Sequence, residues 1–503
     1  VTLKNRSLAT PLRGARHLDT RCLPTRLLRL SLLALLSSLA VEHASAAPPP
    51  ISIPSASDES DGSGDAGFLA GINRRNQLLG DLGGLRTALG RHGISLAIQE
   101  TSEVLGNTTG GTAKGFEYDG LTQAVLQLNT QRAFGLYGGL LNVSGLQIHG
   151  RNLSADHLQT LQTASGIEAD RATRLWEAWY DQKFLEEDRL DVKIGQQSLD
   201  QEFMVSSNAL YFVNTMFGWP MVPSADMPGG GPAYPLSALG VRASARPVDG
   251  VTVLAGVFSG SPVPTAAGDP QLANRHGTNF VHDKGTLTIV ELQFSYPALG
   301  SMVMPDEAAP LGWTYRVGAW YDTQPFADQR VDTDGLSLAN PASNGTPRAH
   351  HGDYSLYAVA DKLVWRDDRD PNRTVGVFAR VMGTPQRDRN LIDFSLNAGL
   401  VFHSPFHYRT DDTLGFGVNY ARVSSQAAGL DRDTTTYTGV SAPVRSGETV
   451  LELTYQYQLR PWIQLQPDLQ YVINTGGGVP DPDDPTKKIA NEFVMGVRAN
   501  ITF

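Results

Sequence analysis

At Gly93 the chain changes period. Beyond it, apolar residues recur at every second position and the pattern does not revert. In TVLELTYQYQLR, Thr449, Leu451, Leu453, Tyr455, Tyr457 and Leu459 share one parity, against Glu452, Thr454, Gln456 and Gln458. DFSLNAGLVF sets Phe394, Leu396, Ala398, Leu400 and Phe402 against Asp393, Ser395, Asn397 and Gly399. NEFVMGVRANITF sets Phe493, Met495, Val497, Ala499, Ile501 and Phe503 against Val494, Gly496, Arg498, Asn500 and Thr502. Successive side chains of a strand point to opposite faces, so each segment is a strand with one apolar and one polar face. About sixteen such strands are predicted, near 94–104, 120–130, 139–150, 173–184, 190–197, 238–246, 251–259, 286–296, 313–322, 354–365, 374–382, 391–402, 413–422, 447–459, 462–473 and 491–503.

The connections alternate in length. Long ones span 105–119, 151–172, 198–237, 260–285, 323–353, 423–446 and 474–490. Between them lie tight ones such as LEEDR, PVDG and RP. Two depart from the rhythm: 298–311 is long for its class, and GTPQRDRN is short. An up-and-down antiparallel sheet whose two ends meet different surroundings has this rhythm.

Ahead of Gly93, Leu78, Leu82, Leu85 and Leu89 step by helical intervals and Leu79 widens the stripe, predicting a short helix within 72–93 despite Gly83 and Gly84. Residues 47–71 are rich in Pro, Ser, Gly and Asp and read as a disordered linker. Residues 1–46 have the parts of a secretory signal. Lys4, Arg6, Arg13, Arg16, Arg21, Arg26 and Arg29 precede the apolar run LLRLSLLALLSSLAV, and Ala44-Ser45-Ala46 reads as the cleavage site. The run is too short for a spanning anchor. Cys22, the sole cysteine, would leave with this leader, so neither disulfides nor thiolate metal sites are expected. The chain carries 41 Lys and Arg against 51 Asp and Glu, and loss of the basic leader makes it more acidic, which argues against nucleic acid as a partner.

The direction of the apolar face decides the architecture. In a secreted sandwich it would point into a shared core. In a transmembrane barrel it points to lipid while the polar face lines a wet lumen. An even strand count, strands of about ten residues and an export leader fit the barrel, and closure pairs every backbone group as lipid demands. The mean hydropathy of −0.21 fits too, because half of each strand would line water. The predicted fold is therefore all-β, a transmembrane antiparallel up-and-down β-barrel formed by 94–503, preceded by the short helix. The alternative from another class is a secreted carbohydrate-binding β-protein without a pore. The last strand, reaching Phe503, resembles the end of outer-membrane barrels that the barrel-assembly machinery recognises, and it would pair with the first strand near 94–104.

Several stretches carry a more specific resemblance. LLGDLGGLRTALGRHGISLAIQETSEVLGNTTGG (78–111), ATRLWEAWYDQKF (172–184), IGQQSLDQEFMVS (194–206), FGWPMVPSADMPGGGPAYPLSALGVR (217–242) and PWIQLQPDLQYVINTGG (461–477) resemble the carbohydrate-selective porin (OprB) family, in family order from about residue 72 onward. Leu82 stands where the family's Gly-Asp-Trp-Gly-Gly motif has Trp. The resemblance implies a sixteen-stranded barrel in the outer membrane of a Gram-negative bacterium. It would let mono- or oligosaccharides diffuse passively into the periplasm, as a monomer or trimer surrounded by outer-membrane lipid. A general or differently selective porin is the nearest alternative.

A neutral sugar offers hydroxyls that donate and accept, plus an apolar C–H face. A selective channel for it calls for charges of both signs beside aromatic surface, whereas a phosphate channel would call for a ladder of Arg and Lys. Strand parity places Glu177, Trp179, Asp181 and Lys183 on one inward face, and Lys193, Arg242, Glu291, Arg316, Trp320 and Arg380 on others. The long connection 198–237, expected to fold inward and narrow the pore, adds Asp200 and Glu202. These twelve are the candidate pore-lining residues. No HExxH, phosphate loop or nucleophile–base arrangement is present, so no enzyme and no cofactor is predicted. His403 and His407, the HHGD stretch at 350–353 and PDPDDP at 480–485 are read as solvated turns rather than metal sites.

Overall fold

The computed structural model describes residues 51, 75–265, 268–298 and 311–503. The predicted leader, 1–46, and the linker, 47–71 apart from Ile51, lie outside the described residues. The chain from Gly93 onward forms sixteen strands: β1 (Ile94–Thr109), β2 (Gly115–Asn129), β3 (Gly139–Gly150), β4 (Ala172–Phe184), β5 (Leu190–Gln197), β6 (Ala238–Val248), β7 (Val251–Ser259), β8 (Thr286–Tyr296), β9 (Trp313–Asp332), β10 (Pro347–Arg366), β11 (Thr374–Gly383), β12 (Ile392–His403), β13 (Thr413–Val423), β14 (Gly447–Arg460), β15 (Ile463–Ile473) and β16 (Glu492–Thr502). Each pairs with its sequence neighbours, and β1 pairs antiparallel with β16, with Gln99 opposite Thr502 and Thr109 opposite Phe493. That last pairing closes the barrel and leaves no edge strand.

Every predicted segment is a strand. The β9–β10 hairpin is longer than its apolar alternation, because β9 runs on to Asp332 and β10 begins at Pro347. Pro325 and Gly352 interrupt the alternation there, and the register shifts between His351 and Asp353. Past the lipid band an outward apolar residue gains nothing, so pairing continues while the periodic signal stops.

The wall is two-faced, as the parity requires. Leu453, Leu469 and Val497 point outward and are 44%, 40% and 46% exposed, while their inward neighbours Glu452, Gln470 and Arg498 are buried. Inside, two long connections, L2 (residues 151–171) and L3 (198–237), fold into the lumen. Apolar wall positions meet them there. Leu121, Leu146 and Ile148 pack with Ile167 and Ala169 of L2 and with Trp176 and Tyr234, while Phe378 and Val401 pack with Ala209, Phe212 and Phe217 of L3.

The short helix predicted within 72–93 is α1 (Leu85–Arg91), with 72–74 outside the described residues. Leu82, Gly83 and Gly84 have φ of 51°, 69° and 95°, left-handed values that end a helix. Arg86 is buried and fastens α1 to the short-turn rim, its guanidinium reaching the carbonyls of Leu96, Gly80 and Phe503. L3 holds α2 (Thr215–Gly218) and α3 (Met221–Asp226), and the connection after β13 holds α4 (Ser425–Thr438), whose polar sequence has no helical stripe.

Candidate solute path

L3 lies against the inner wall because inward polar residues hold its backbone. Arg380 on β11 donates to the carbonyls of Met204 at 2.8 Å and of Phe217 and Gly218 at 3.0 Å, and also to that of Met216. Glu291 on β8 accepts from the Met204 amide and the Tyr357 hydroxyl, both at 2.8 Å. Glu452 on β14 accepts from the amide of Asn214 at 3.0 Å and from that of Val213 at 2.6 Å. Asp361 on β10 accepts from the Ser206 hydroxyl and the Asn208 amide. These charges are buried, and each is surrounded by the polar partners a buried charge needs.

L2 is held the same way. Glu448, at the start of β14, accepts from the Thr160 hydroxyl at 2.7 Å and from the amides of Leu161, Gln162 and Gly476. Within L2, Glu168 accepts from the amide and hydroxyl of Ser154, both at 3.0 Å. Burial nevertheless pushes the Glu168 carboxyl up to about 8. In L3, burial likewise raises the Asp200 carboxyl to about 7, although the Ser198 hydroxyl and the Tyr234 amide donate to it and oppose the rise.

A charged cluster on β4–β6 faces the early part of L3. Glu202 of L3 pairs with Lys193 on β5 and with Arg242 on β6, and Arg242 also pairs with Asp191. The Lys193 ammonium sits 4.3 Å from the centre of the Trp179 ring, a cation–π contact, with half-buried Asp181 on the same face. Further round, Arg316 on β9 donates to Asp361 at 3.0 Å. The wall from β14 to β1 carries a run of amides beside its buried charges Glu452, Asp468, Arg498 and Glu103. Gln464 donates to Gln456 and Gln458, Asn500 donates to Gln464 at 3.3 Å, and the Thr101 hydroxyl donates to Asn500 at 2.8 Å.

The twelve predicted residues therefore fall into different places. Trp179, Asp181, Lys193, Glu202 and Arg242 are in or beside the charged cluster, and Arg316 lies further round, paired with Asp361. Glu177, Asp200, Glu291, Trp320 and Arg380 do face inward, but L3 or its neighbours cover them, which corrects their reading as pore-lining. Glu177 and Asp200 fix the first turn of L3, Glu177 by accepting from the Ser198 amide at 3.0 Å. Trp320 is 1% exposed. Lys183 is corrected too, since it reaches Asp188 in the short turn at 3.0 Å and so sits at the rim. Sequence reasoning missed L2 as a lumen element. Its signal was available in Leu153, Leu158, Leu161 and Ile167, apolar residues crowded into a long connection.

A closed sixteen-stranded barrel with an apolar exterior and a polar lumen narrowed by inward loops is an outer-membrane diffusion porin. Residues 113–503 match the sequence profile of the carbohydrate-selective porin, OprB family, and the chain belongs to that family. It is an outer-membrane channel for sugars. Porin B of Pseudomonas aeruginosa is 24% identical over 446 residues, covering 85% of this chain and 91% of that protein. The high-pH structure of Pseudomonas putida OprB superposes with a TM-score of 0.73 at 23% identity, covering 86% of this chain and all of that one, and its low-pH structure with a TM-score of 0.51 at 18% identity.

Proposed function

We propose that sugars pass between the Lys193–Glu202–Arg242 cluster and the amide wall of Gln456, Gln464 and Asn500, with Trp179 offering aromatic surface to their C–H faces. The observation that supports this reading is the pairing of charges within the cluster. Lys193 and Arg242 share Glu202, and Arg242 also takes Asp191, so a solute meets donors and acceptors of both signs rather than a field of one sign. The chain then works by passive diffusion and not as an enzyme. The rim of long connections faces outside and the rim of short turns faces the periplasm. Residues 1–46 direct export and 47–71 link the leader to the barrel. Lipid covers the apolar outer wall, and β16 with Phe503 is the segment the barrel-assembly machinery engages.

Glu202→Gln tests the path. It removes the carboxylate that Lys193 and Arg242 share, so reversal potentials in a salt gradient should shift toward anion selectivity and the preference for glucose over charged solutes should fall. An unchanged reversal potential would remove the cluster from the path.

A further inference from the structure

The inward polar ladder of β5 and β6 does not end at the Lys193–Glu202–Arg242 cluster. Lys193 stands opposite Arg242, and Asp191 opposite Ser244. Nearer the short turns, Arg246 donates its amide to the Arg189 carbonyl at 2.8 Å, and both side chains keep the inward parity. On β7 and β8, Leu254 stands between Ser244 and Glu291, which places Thr252 and Ser295 on the inward side as well. With Glu187 and Asp249 of the turns, these residues line a cavity of about 320 Å³ at the short-turn mouth. It is distinct from the cluster. Arg246 follows Arg242 by four residues on β6, about 13 Å along an extended strand. Asp191, paired with Arg242, lies between the two places.

Higher in the lumen, inward polar groups are spent on holding L2 and L3. Here much of their capacity is unspent. Arg189 donates to Glu187 Oε2 at 2.9 and 2.7 Å and to Asp249 Oδ1 at 2.9 Å, which leaves Glu187 Oε1 and Asp249 Oδ2 without a donor among the described residues. Those two side chains are 72% and 80% exposed. Arg246 spends one nitrogen on the carbonyls of Glu187 and Asp188, and its other two have no acceptor among the described residues. The Thr252 and Ser295 hydroxyls are likewise unengaged there. The β4–β5 turn that forms one side is strained. Leu185, Glu187 and Asp188 have φ of 67°, 57° and 53°, left-handed values that side chains disfavour. A turn that only joins two strands meets such angles with glycine, as PVDG does at Gly250, φ 76°. Strain of this kind persists where surrounding contacts impose it, and it gathers at ligand sites. The contacts here are the two bonds from Arg246.

The lining matches two guanidiniums with two carboxylates, so it offers no net field to a fixed-charge ion. A polyol uses what is offered. Its hydroxyls donate to the free carboxylate oxygens and accept from Arg246, while Val248 gives apolar surface to a C–H face. Ligand cavities run to about 300–1,000 Å³, so this one is at the small end, with room for a single ring. We propose that the cavity is an exit subsite for one neutral monosaccharide. It takes the solute from the cluster and holds it between Arg246, Asp249 and Thr252 before release at the short-turn rim. The proposal rests on the reading that sugars pass the cluster.

Single oriented barrels in a planar bilayer test it, with glucose added to one compartment at a time and its binding read as interruptions of the ion current. Asp249→Asn keeps a residue suited to the turn before Gly250, and Thr252→Val keeps the side-chain shape. Heat-modifiable mobility checks that the double variant is folded. Its half-maximal glucose concentration from the short-turn side should rise about tenfold, as the loss of one charge-assisted hydrogen bond predicts. The value from the long-connection side should stay as in the parent. Asp370→Asn, in another short turn, should change neither, and Glu202→Gln should act chiefly from the long-connection side. A parent that shows no interruption from the short-turn side would overturn the subsite. So would a double variant that behaves as the parent, or that loses binding equally from both sides, and the cluster path would still stand if Glu202→Gln acts. If Glu202→Gln changes nothing while the double variant loses only short-turn-side binding, the cluster path fails and the cavity remains a sugar site.

Discussion

Arg380 gives its guanidinium hydrogens to the carbonyls of Met204, Met216, Phe217 and Gly218 and to Asn397, so one side chain holds several points of L3 against β11. Arg380→Met keeps the volume and strands those acceptors, at a cost on the order of 3 kcal/mol. The folded barrel should melt at lower temperature, and single-channel conductance should rise as L3 loosens. An unchanged conductance would mean that L3 is held without Arg380. Asp200 gives the pH dependence. Its folded value of about 7 lies above the ordinary 3.8, so the folded state binds more protons between those values. Its contribution to stability is therefore full below about pH 4 and is lost as pH rises through about 7. Hydrogen exchange at the Tyr234 amide, corrected for intrinsic rate, should quicken between pH 5.5 and 8, and Asp200→Asn should flatten that change. At this scale the sequence told which way a side chain points but not what lies over it. Glu291 and Trp320 have the right parity for a pore lining, yet both are buried, and Glu291 is taken up by the amide of Met204, which lies far away in the chain.

The elements were legible wherever lipid imposes the pattern. Each strand carries its own evidence in its alternation, and the long and short connections order the strands around the barrel without any knowledge of tertiary contacts. Where lipid stops, legibility stops too. The outer part of the β9–β10 hairpin is held by pairing alone, and α4 is held by charge, with Arg330 bonded to Asp433 through two nitrogens at 2.7 and 2.9 Å. Neither leaves a periodic trace. L2 is the element whose placement depends most on one residue, since Glu448 collects four of its hydrogen bonds from L2 and the turn at Gly476. Glu448→Ala should free L2 from the lumen. Limited proteolysis should then cut between residues 151 and 171 in the folded barrel, where the parent chain resists. Continued resistance would assign the placement of L2 to its apolar residues instead.

At the scale of the whole molecule, closure through β1 and β16 satisfies the backbone in lipid and leaves the interior free to be filled by L2 and L3. The proposed path would run between paired charges on one side and amides on the other, a lining suited to a neutral, hydroxyl-rich solute. Liposome swelling tests this most directly. Vesicles containing the porin should swell faster in glucose than in a zwitterionic amino acid of similar size, with the advantage reduced by Glu202→Gln. Equal rates for the two solutes in the parent protein would contradict sugar selection by this lumen.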